Sequence, residues 1–214
     1  MTRRFPVATL LAGLLCLLPA VATMAADDKT AIDATSDAEL GRIEKYLNGI
    51  QSMKAGFVQL APDGSISEGT LYMERPGKLR FAYKPPSKIL MVARRGWVTF
   101  IDYEIRQVSR WPIKNTPFGA LIDKQVIFGE TAHIADIERR PDTLAITLDD
   151  PKDRRAGSIK LVFSRAPIQL RQWEVTDAQG LVTRVGLSNP MINIAMDRKL
   201  FRFRDPRAVA RRRR

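Results

Sequence analysis

The sequence predicts a mainly β protein with minor α content: a large, curved antiparallel sheet of about eleven strands with a small helical cover. From Met53 onward, short apolar runs follow a period of two and are separated by turn residues, which is typical of half-buried strands. The connections are too short to hold the helices that join parallel strands, so the strands must pair antiparallel. No repeat or linker interrupts the pattern, which indicates one domain.

One amphipathic helix is predicted ahead of the strands. Ser36-Asp37-Ala38-Glu39 has the Ser-x-x-Glu spacing of a capping box, which pairs free amides at a helix start. The helix should end around Asn48-Gly49, because glycine is favoured just past the last turn. We expect its apolar stripe to dock on the sheet; the stripe consists of Leu40, Ile43, Leu47 and Ile50.

The strands are predicted from alternating runs that end at turn residues such as Pro62-Asp63-Gly64 and Pro76-Gly77. In chain order they occupy residues 53–60, 67–75, 78–84, 89–94, 97–102, 105–111, 143–149, 158–164, 168–176, 181–188 and 200–204.

The stretch 112–136 interrupts this pattern. Asn115-Thr116-Pro117-Phe118-Gly119-Ala120-Leu121 places a capping Thr and a Pro at a helix start, ahead of apolar residues. Ile134-Ala135-Asp136 fits a loop, a helical turn or a strand. A short helix inserted between strands must pack somewhere, and the open face of the sheet is the available surface.

The first 26 residues have the three-part layout of a secretory signal peptide. A short cationic start precedes an apolar run, and small residues lead up to Ala26. We expect cleavage near Ala26, leaving a folded domain at residues 27–206 and an arginine-rich tail at residues 207–214. A membrane anchor is the alternative, although the apolar run is shorter than the roughly 20 residues that span a bilayer.

Charge and composition exclude several classes of function. The net charge is +12, but seven arginines fall within the last thirteen residues, so the charge is concentrated in a tail rather than on a face. We therefore expect no nucleic-acid partner. Arg211–Arg214 either form a solvated tail or contact anionic lipid headgroups. One His and one Cys cannot supply a Cys/His zinc site, a multi-histidine metal site or a disulfide framework.

No arrangement of catalytic residues emerges either. His133 is the only histidine, and no Gly-x-Ser-x-Gly elbow accompanies it. Asp149, Asp150 and Asp153 lie in a turn-rich, arginine-containing segment, which explains them without a metal. We expect no enzyme activity, no cofactor and no metal.

The remaining signal is a surplus of bulky apolar side chains at alternating positions. Leu71, Met73 and Arg75 share one face, and Leu79, Phe81 and Tyr83 share one face of the next strand. An ordinary core against the helix explains this pattern equally well. Two details favour a cavity: an inward Arg needs acceptors nearby, and flexible Met side chains suit acyl chains of variable shape.

Several stretches, in order along the chain, resemble the LolA family of periplasmic lipoprotein carriers. The best are Phe57-x-Gln59, the segment from Gly69 through Glu74-Arg75-Pro76-Gly77-Lys78-Leu79-Arg80-Phe81 with Tyr83 and Pro86, Asn115-Thr116-Pro117-Phe118, Trp173-x-Val175-x-Asp177-x-x-Gly180 and Phe201-x-Phe203-x-x-Pro206. The chain departs from the family at Arg94-Arg95-Gly96, where Asp-Gly is common, and in its arginine tail.

The resemblance implies an unclosed antiparallel half-barrel with an α-helical lid over an apolar cavity that holds lipoprotein acyl chains in the periplasm. It also implies that the chain is a monomer without a cofactor, that a LolCDE-type ABC transporter delivers cargo, and that an outer-membrane acceptor, LolB or another protein, receives it. Arg75 would hydrogen-bond the lid and control release. The candidate cavity residues are Leu71, Met73, Leu79, Phe81, Tyr83, Met91, Phe100, Phe118 and Leu121.

Two other classes of function stay open. One is a periplasmic sensor or regulator that uses the same half-barrel to bind a peptide, a class that usually carries an added domain. The other is a peripheral envelope protein that the basic tail holds on anionic lipid.

Overall fold

The computed structural model describes residues 27–116, 118–150 and 157–208. The predicted signal peptide 1–26, Pro117, Asp153 and the tail Arg211–Arg214 lie outside these residues. The sheet and its packing belong to one compact unit, which begins at Ala38.

Eleven antiparallel strands form one sheet, as the sequence predicts. The helices are α1 Asp27–Gly49 and α2 Phe118–Leu121, with short 3-10 helices at Ile113–Asn115 and Arg198–Phe201. The strands are β1 Ser52–Leu60, β2 Ile66–Glu74, β3 Lys78–Tyr83, β4 Ile89–Arg94, β5 Trp97–Asp102, β6 Gln107–Pro112, β7 His133–Arg139, β8 Thr143–Asp149, β9 Ser158–Arg165, β10 Ile168–Thr176 and β11 Val182–Ile192.

The order of the strands leaves the sheet open. Across the sheet it runs β6-β5-β4-β3-β2-β1-β11-β10-β9-β8-β7, so β6 and β7 are its two edges and do not pair with each other. Residues 113–132 connect these two edges, and α2 lies within this connection. The half-barrel prediction is confirmed, and we call residues 116–123 the lid.

The apolar stripe of α1 packs on one face of the sheet, here called the inner face. Ile43, Leu47 and Ile50 are buried there in the same cluster as Leu71 and Phe81. Register brings the last two residues together, because Leu71 on β2 pairs with Phe81 on β3. The alternation that predicted one shared face for these strands is therefore confirmed.

The predicted start of α1 is wrong, whereas its end at Gly49 is confirmed. The helix runs from Asp27 through Ser36 without a break. Glu39, expected in a capping box, is instead buried, and its carboxylate contacts Arg139 Nε at 3.2 Å and Arg165 Nη2 at 2.9 Å. A buried carboxylate requires such partners, and these two arginines come from β7 and β9.

The predicted strand at residues 200–204 is also wrong. This segment packs on the outer face, where Phe201 joins Leu90, Val92 and Ile101 in a second apolar cluster. Side chains of the sheet satisfy its backbone: Arg80 Nη1 donates to the carbonyls of Leu200 at 2.8 Å and Arg202 at 3.2 Å. With its carbonyls bound in this way, the segment needs no neighbouring strand.

Candidate functional site

Three aromatic rings meet on the inner face beneath the lid. The Phe81 ring lies 6.1 Å from the Trp173 ring, and the Phe118 ring lies 6.4 Å from Phe81 and 6.0 Å from Trp173. All three contacts are edge to face, the arrangement that aromatic pairs prefer. Because Phe118 belongs to α2, this ring triangle seats the lid on β3 and β10.

Glycine at position 69 lets a fourth ring lie close to the sheet. A Cβ atom there would stand 2.5 Å from the Phe57 ring and 2.3 Å from the Ala82 carbonyl oxygen. Phe57 in turn packs edge to face on Phe81, with centroids 5.2 Å apart. Gly69 therefore positions the aromatic floor of the site.

Two apolar cavities flank the ring triangle. The side cavity has a volume of about 340 Å³, and its walls include Leu79, Phe81, Met91, Val98, Trp111 and Phe118. The lid cavity has a volume of about 30 Å³, and its walls include Leu47, Leu71, Met73, Arg75, Leu121 and Trp173. The side cavity lies at the lower end of the roughly 300–1,000 Å³ typical of small-ligand sites.

Phe118 separates the two cavities, since it and Leu79 line both. The lid is closed over the inner face: Leu121 and Ile122 are buried in the core cluster. The Gly77 amide donates to the Ile122 carbonyl oxygen at 2.7 Å, which fixes the end of the lid to the β2–β3 turn. Movement of Phe118 away from the sheet would join the two cavities.

Seven of the nine predicted cavity residues line one or both cavities. Leu71, Met73 and Leu121 line the lid cavity, Phe81 and Met91 the side cavity, and Leu79 and Phe118 both. Tyr83 and Phe100 line neither. Phe100 pairs with Met91 across β4 and β5 and is half-buried.

Tyr83 contributes to packing beside the cavities. Its ring lies edge to face on Phe57 at 5.1 Å, and its hydroxyl donates to Gln59 Oε1 at 2.8 Å. Burial raises the pKa of Tyr83 to about 12, because desolvation disfavours the charged phenolate.

Arg75 is buried at the wall of the lid cavity, with 8% of its surface exposed. Desolvation lowers the pKa of its guanidinium, and the nearby charge of Asp123 on the lid opposes this. Its Nη1 donates to Asn48 Oδ1 at 3.4 Å. Arg75 therefore contacts the lid by packing and charge, while its hydrogen bond goes to the end of α1.

Asn48 is a functional candidate that the sequence did not reveal. Its Oδ1 accepts from the Val126 amide at 2.8 Å, and its Nδ2 donates to the Val126 carbonyl at 2.8 Å. The Phe128 amide donates to Glu44 Oε1 in the same way. Two polar side chains of α1 thus hold the segment that follows the lid, and Asn48 joins that segment to Arg75.

Two nitrogen donors beside the lid cavity find no acceptor in the part of the chain that the structure describes. They are the buried atoms Trp173 Nε1 and Arg75 Nε. Leaving such a donor unsatisfied costs about 1–3 kcal/mol of stability. The site therefore contains polar groups that the closed chain does not use.

A third cavity, of about 750 Å³, borders the lid residues Thr116, Gly119, Ile122 and Asp123 and has several charged residues in its lining. Lys114, Asp123 and His133 are among its lining residues, and it reaches Asp150 and Gly157, which border residues outside the description. Its charged lining does not suit an acyl chain.

Within the described ranges, no three His, Cys, Asp or Glu side chains group as ligands of a metal would. No helix in those ranges is long and apolar enough to cross a membrane.

Comparison with known proteins finds relatives over most of the chain. The profile of a family described as outer membrane lipoprotein carrier protein LolA matches residues 48–204. An outer-membrane lipoprotein carrier protein of Methylococcus capsulatus is 28% identical over 177 residues, which cover 78% of this chain and 84% of the relative. An outer-membrane lipoprotein carrier protein of Legionella pneumophila (strain Corby) is 31% identical over 180 residues, which cover 78% of this chain and 86% of the relative.

A crystal structure of a LolA superfamily protein from Nitrosomonas europaea is 10% identical and covers 76% of this chain and 97% of that one, with a TM-score of 0.42. A likeness at that level supports no argument of its own. The family profile, by contrast, spans more than half of the chain, and the chain therefore belongs to the LolA family of outer membrane lipoprotein carrier proteins.

Proposed function

We propose that this chain is a non-enzymatic carrier that binds the acyl chains of lipoproteins on the inner face of its half-barrel. The main observation in support of this proposal is that two apolar cavities lie side by side on this face, separated by Phe118 of the lid. The names of the relatives, which are lipoprotein carriers, support the same cargo. Lifting the lid would make one larger apolar site.

Acyl binding and lid closure compete in this mechanism, because the lid side chains Leu121 and Ile122 occupy the same face as the cargo. Each buried methylene of an acyl chain contributes about 0.8 kcal/mol, so a carrier needs a way to weaken its grip. Closure of the lid after cargo departs covers apolar surface that would otherwise be wet. The hydrogen bonds that hold the lid segment therefore set how readily cargo leaves.

Membership of the family supports a proposal for where the carrier works and with which partners. The predicted signal peptide directs the chain to the periplasm, where a LolCDE-type ABC transporter supplies cargo and an outer-membrane acceptor, LolB or another protein, receives it. We propose that the carrier acts as a monomer and needs no cofactor.

Mass spectrometry of the protein purified from its own periplasm tests this function. Co-purified lipoproteins and a mature N-terminus near Asp27 are the expected result. Recovery of the protein with Met1 still present, or consistently free of lipoproteins, would contradict it. Deletion of Arg211–Arg214 distinguishes this carrier from the alternative, a peripheral protein that its basic tail holds on anionic lipid. The deletion should abolish membrane association of the peripheral protein but change little for a cavity carrier.

A further inference from the structure

Two buried N–H donors share the wall of the lid cavity. Trp173 is 4% exposed and Arg75 is 8% exposed, and among the described residues neither Trp173 Nε1 nor Arg75 Nε has a hydrogen-bond partner. Native proteins pair nearly all such groups. Two unsatisfied donors at one cavity therefore indicate that a ligand brings the acceptor.

The rest of the cavity wall defines what kind of ligand this is. Every other residue that lines the lid cavity is apolar, Leu47, Leu71 and Met73 among them. The surroundings thus favour hydrocarbon, and the two polar atoms without a partner in this wall are both donors. An acyl group has this composition, because its carbonyl oxygen accepts hydrogen bonds and its chain is apolar.

We infer that the lid cavity binds the carbonyl end of a cargo acyl group, an inference that rests on the carrier function proposed above. With the lid raised, the ester or amide carbonyl accepts from Trp173 Nε1 and Arg75 Nε. The hydrocarbon passes the position of Phe118 and fills the side cavity, which has the larger volume. These two donors then set the depth at which an acyl chain lies.

A pair of ligands that differ only in the carbonyl tests the inference. Monodecanoyl glycerol is an ester, and decyl glyceryl ether has the same chain attached through an oxygen without the carbonyl. The chain has three tryptophans, so their three indole N–H signals can be followed by NMR with ¹⁵N-labelled protein. We expect the Trp173 indole proton to move downfield with the ester but not with the ether, and the ester to bind about three- to tenfold more tightly.

Trp173→Phe removes the N–H and keeps an aromatic ring. In this variant the ratio of ester to ether affinity should fall towards one. Trp111→Phe is the matched control, because Trp111 lines the side cavity only. It should alter both affinities alike and keep their ratio.

Three results would overturn the inference. Equal binding of ester and ether to the wild type, with the same Trp173 signal, removes the polar subsite but leaves the carrier function standing. Tighter binding of decanoate than of the ester assigns the donors to a free carboxylate instead. Binding of neither ligand contradicts the proposed function itself.

Discussion

The ring of Phe118 meets the ring of Trp173 edge to face, with centroids 6.0 Å apart and planes at 84°. This contact joins the lid to β10, and a pair of this kind contributes about 0.5–1.5 kcal/mol beyond its buried area. A backbone hydrogen bond from the Gly77 amide to the Ile122 carbonyl also joins the lid to the sheet. Its closure thus depends on a few contacts, and single substitutions can shift it.

Phe118→Ala should join the two cavities and increase uptake of an apolar dye. Phe118 is half-buried, so we expect a loss of about 1–2 kcal/mol in the free energy of unfolding, below the 3–5 kcal/mol typical of a fully buried Phe. Urea unfolding and dye titration measure the two effects. Ile105→Ala, at a side chain that is 66% exposed, is the control and should change neither. Weaker dye binding by Phe118→Ala would show that the ring is part of the binding surface rather than a partition.

Asn48→Ala should loosen the segment that follows the lid, because it removes both hydrogen bonds to the Val126 backbone. We expect faster hydrogen exchange at the Val126 amide and a loss of about 1–3 kcal/mol in stability. Asn48→Asp is the matched variant: it keeps an acceptor for the Val126 amide and for Arg75 but no longer donates to the Val126 carbonyl. The exchange rate of the Val126 amide in Asn48→Asp should lie between the rates in the wild type and in Asn48→Ala. An unchanged rate in Asn48→Ala would remove this residue from the lid mechanism.

Tyr83 should make stability fall at alkaline pH. Its pKa is raised from 10.0 to about 12 in the folded chain, so below pH 10 it is neutral in both states and has no pH effect. Between pH 10 and 12 only the unfolded chain ionises, and the folded state loses roughly 1 kcal/mol per pH unit relative to it. Urea unfolding of wild type and Tyr83→Phe at pH 8 and pH 11 isolates this contribution. Equal losses in the two proteins would contradict the raised pKa.

The sheet could be predicted because its signals are local. Alternation and turn residues set each strand, and Ile89–Arg94 and Trp97–Asp102 match their predicted bounds. Residues 200–204 alternate equally well, but their carbonyls bind Arg80, which is 120 positions away from Leu200. The predicted count of about eleven strands still agrees with the structure. The wrongly predicted strand at 200–204 is replaced in the count by β7, for which the sequence did not decide between strand, loop and helical turn.

The sequence predicted the apolar residues of the site but not its polar contacts. The alternation of side chains along a strand places Leu71 and Phe81 on the inner face, and both are buried there in the structure. Asn48 gave no such signal: its position next to Gly49 is typical of a helix end, and its partner Val126 lies 78 residues away. Pairing between distant polar groups leaves no periodic trace in a sequence, and the partners appear only once the fold brings them together.

Arg75→Leu should keep the fold and still load cargo, with some loss of affinity because Nε no longer donates to the acyl carbonyl, but it should block transfer. Replacing a buried, desolvated guanidinium with an apolar side chain is often neutral or stabilising, so we expect little change in unfolding. The variant loses the hydrogen bond to Asn48 and the attraction to Asp123 on the lid. The closed lid is weakened, the open state gains population and the acyl chains stay bound. Arg75→Lys should rescue release only in part, because an ammonium lacks the planar fork of the guanidinium.

Loading and hand-off must be measured separately to test this role. Asn48→Ala should share the transfer defect of Arg75→Leu, because both remove the same hydrogen bond, and the double variant should add little to either. A chain that loads poorly yet releases normally would contradict the mechanism. It would limit Arg75 to its contact with the acyl carbonyl and leave closure to the packing of Phe118 and Leu121.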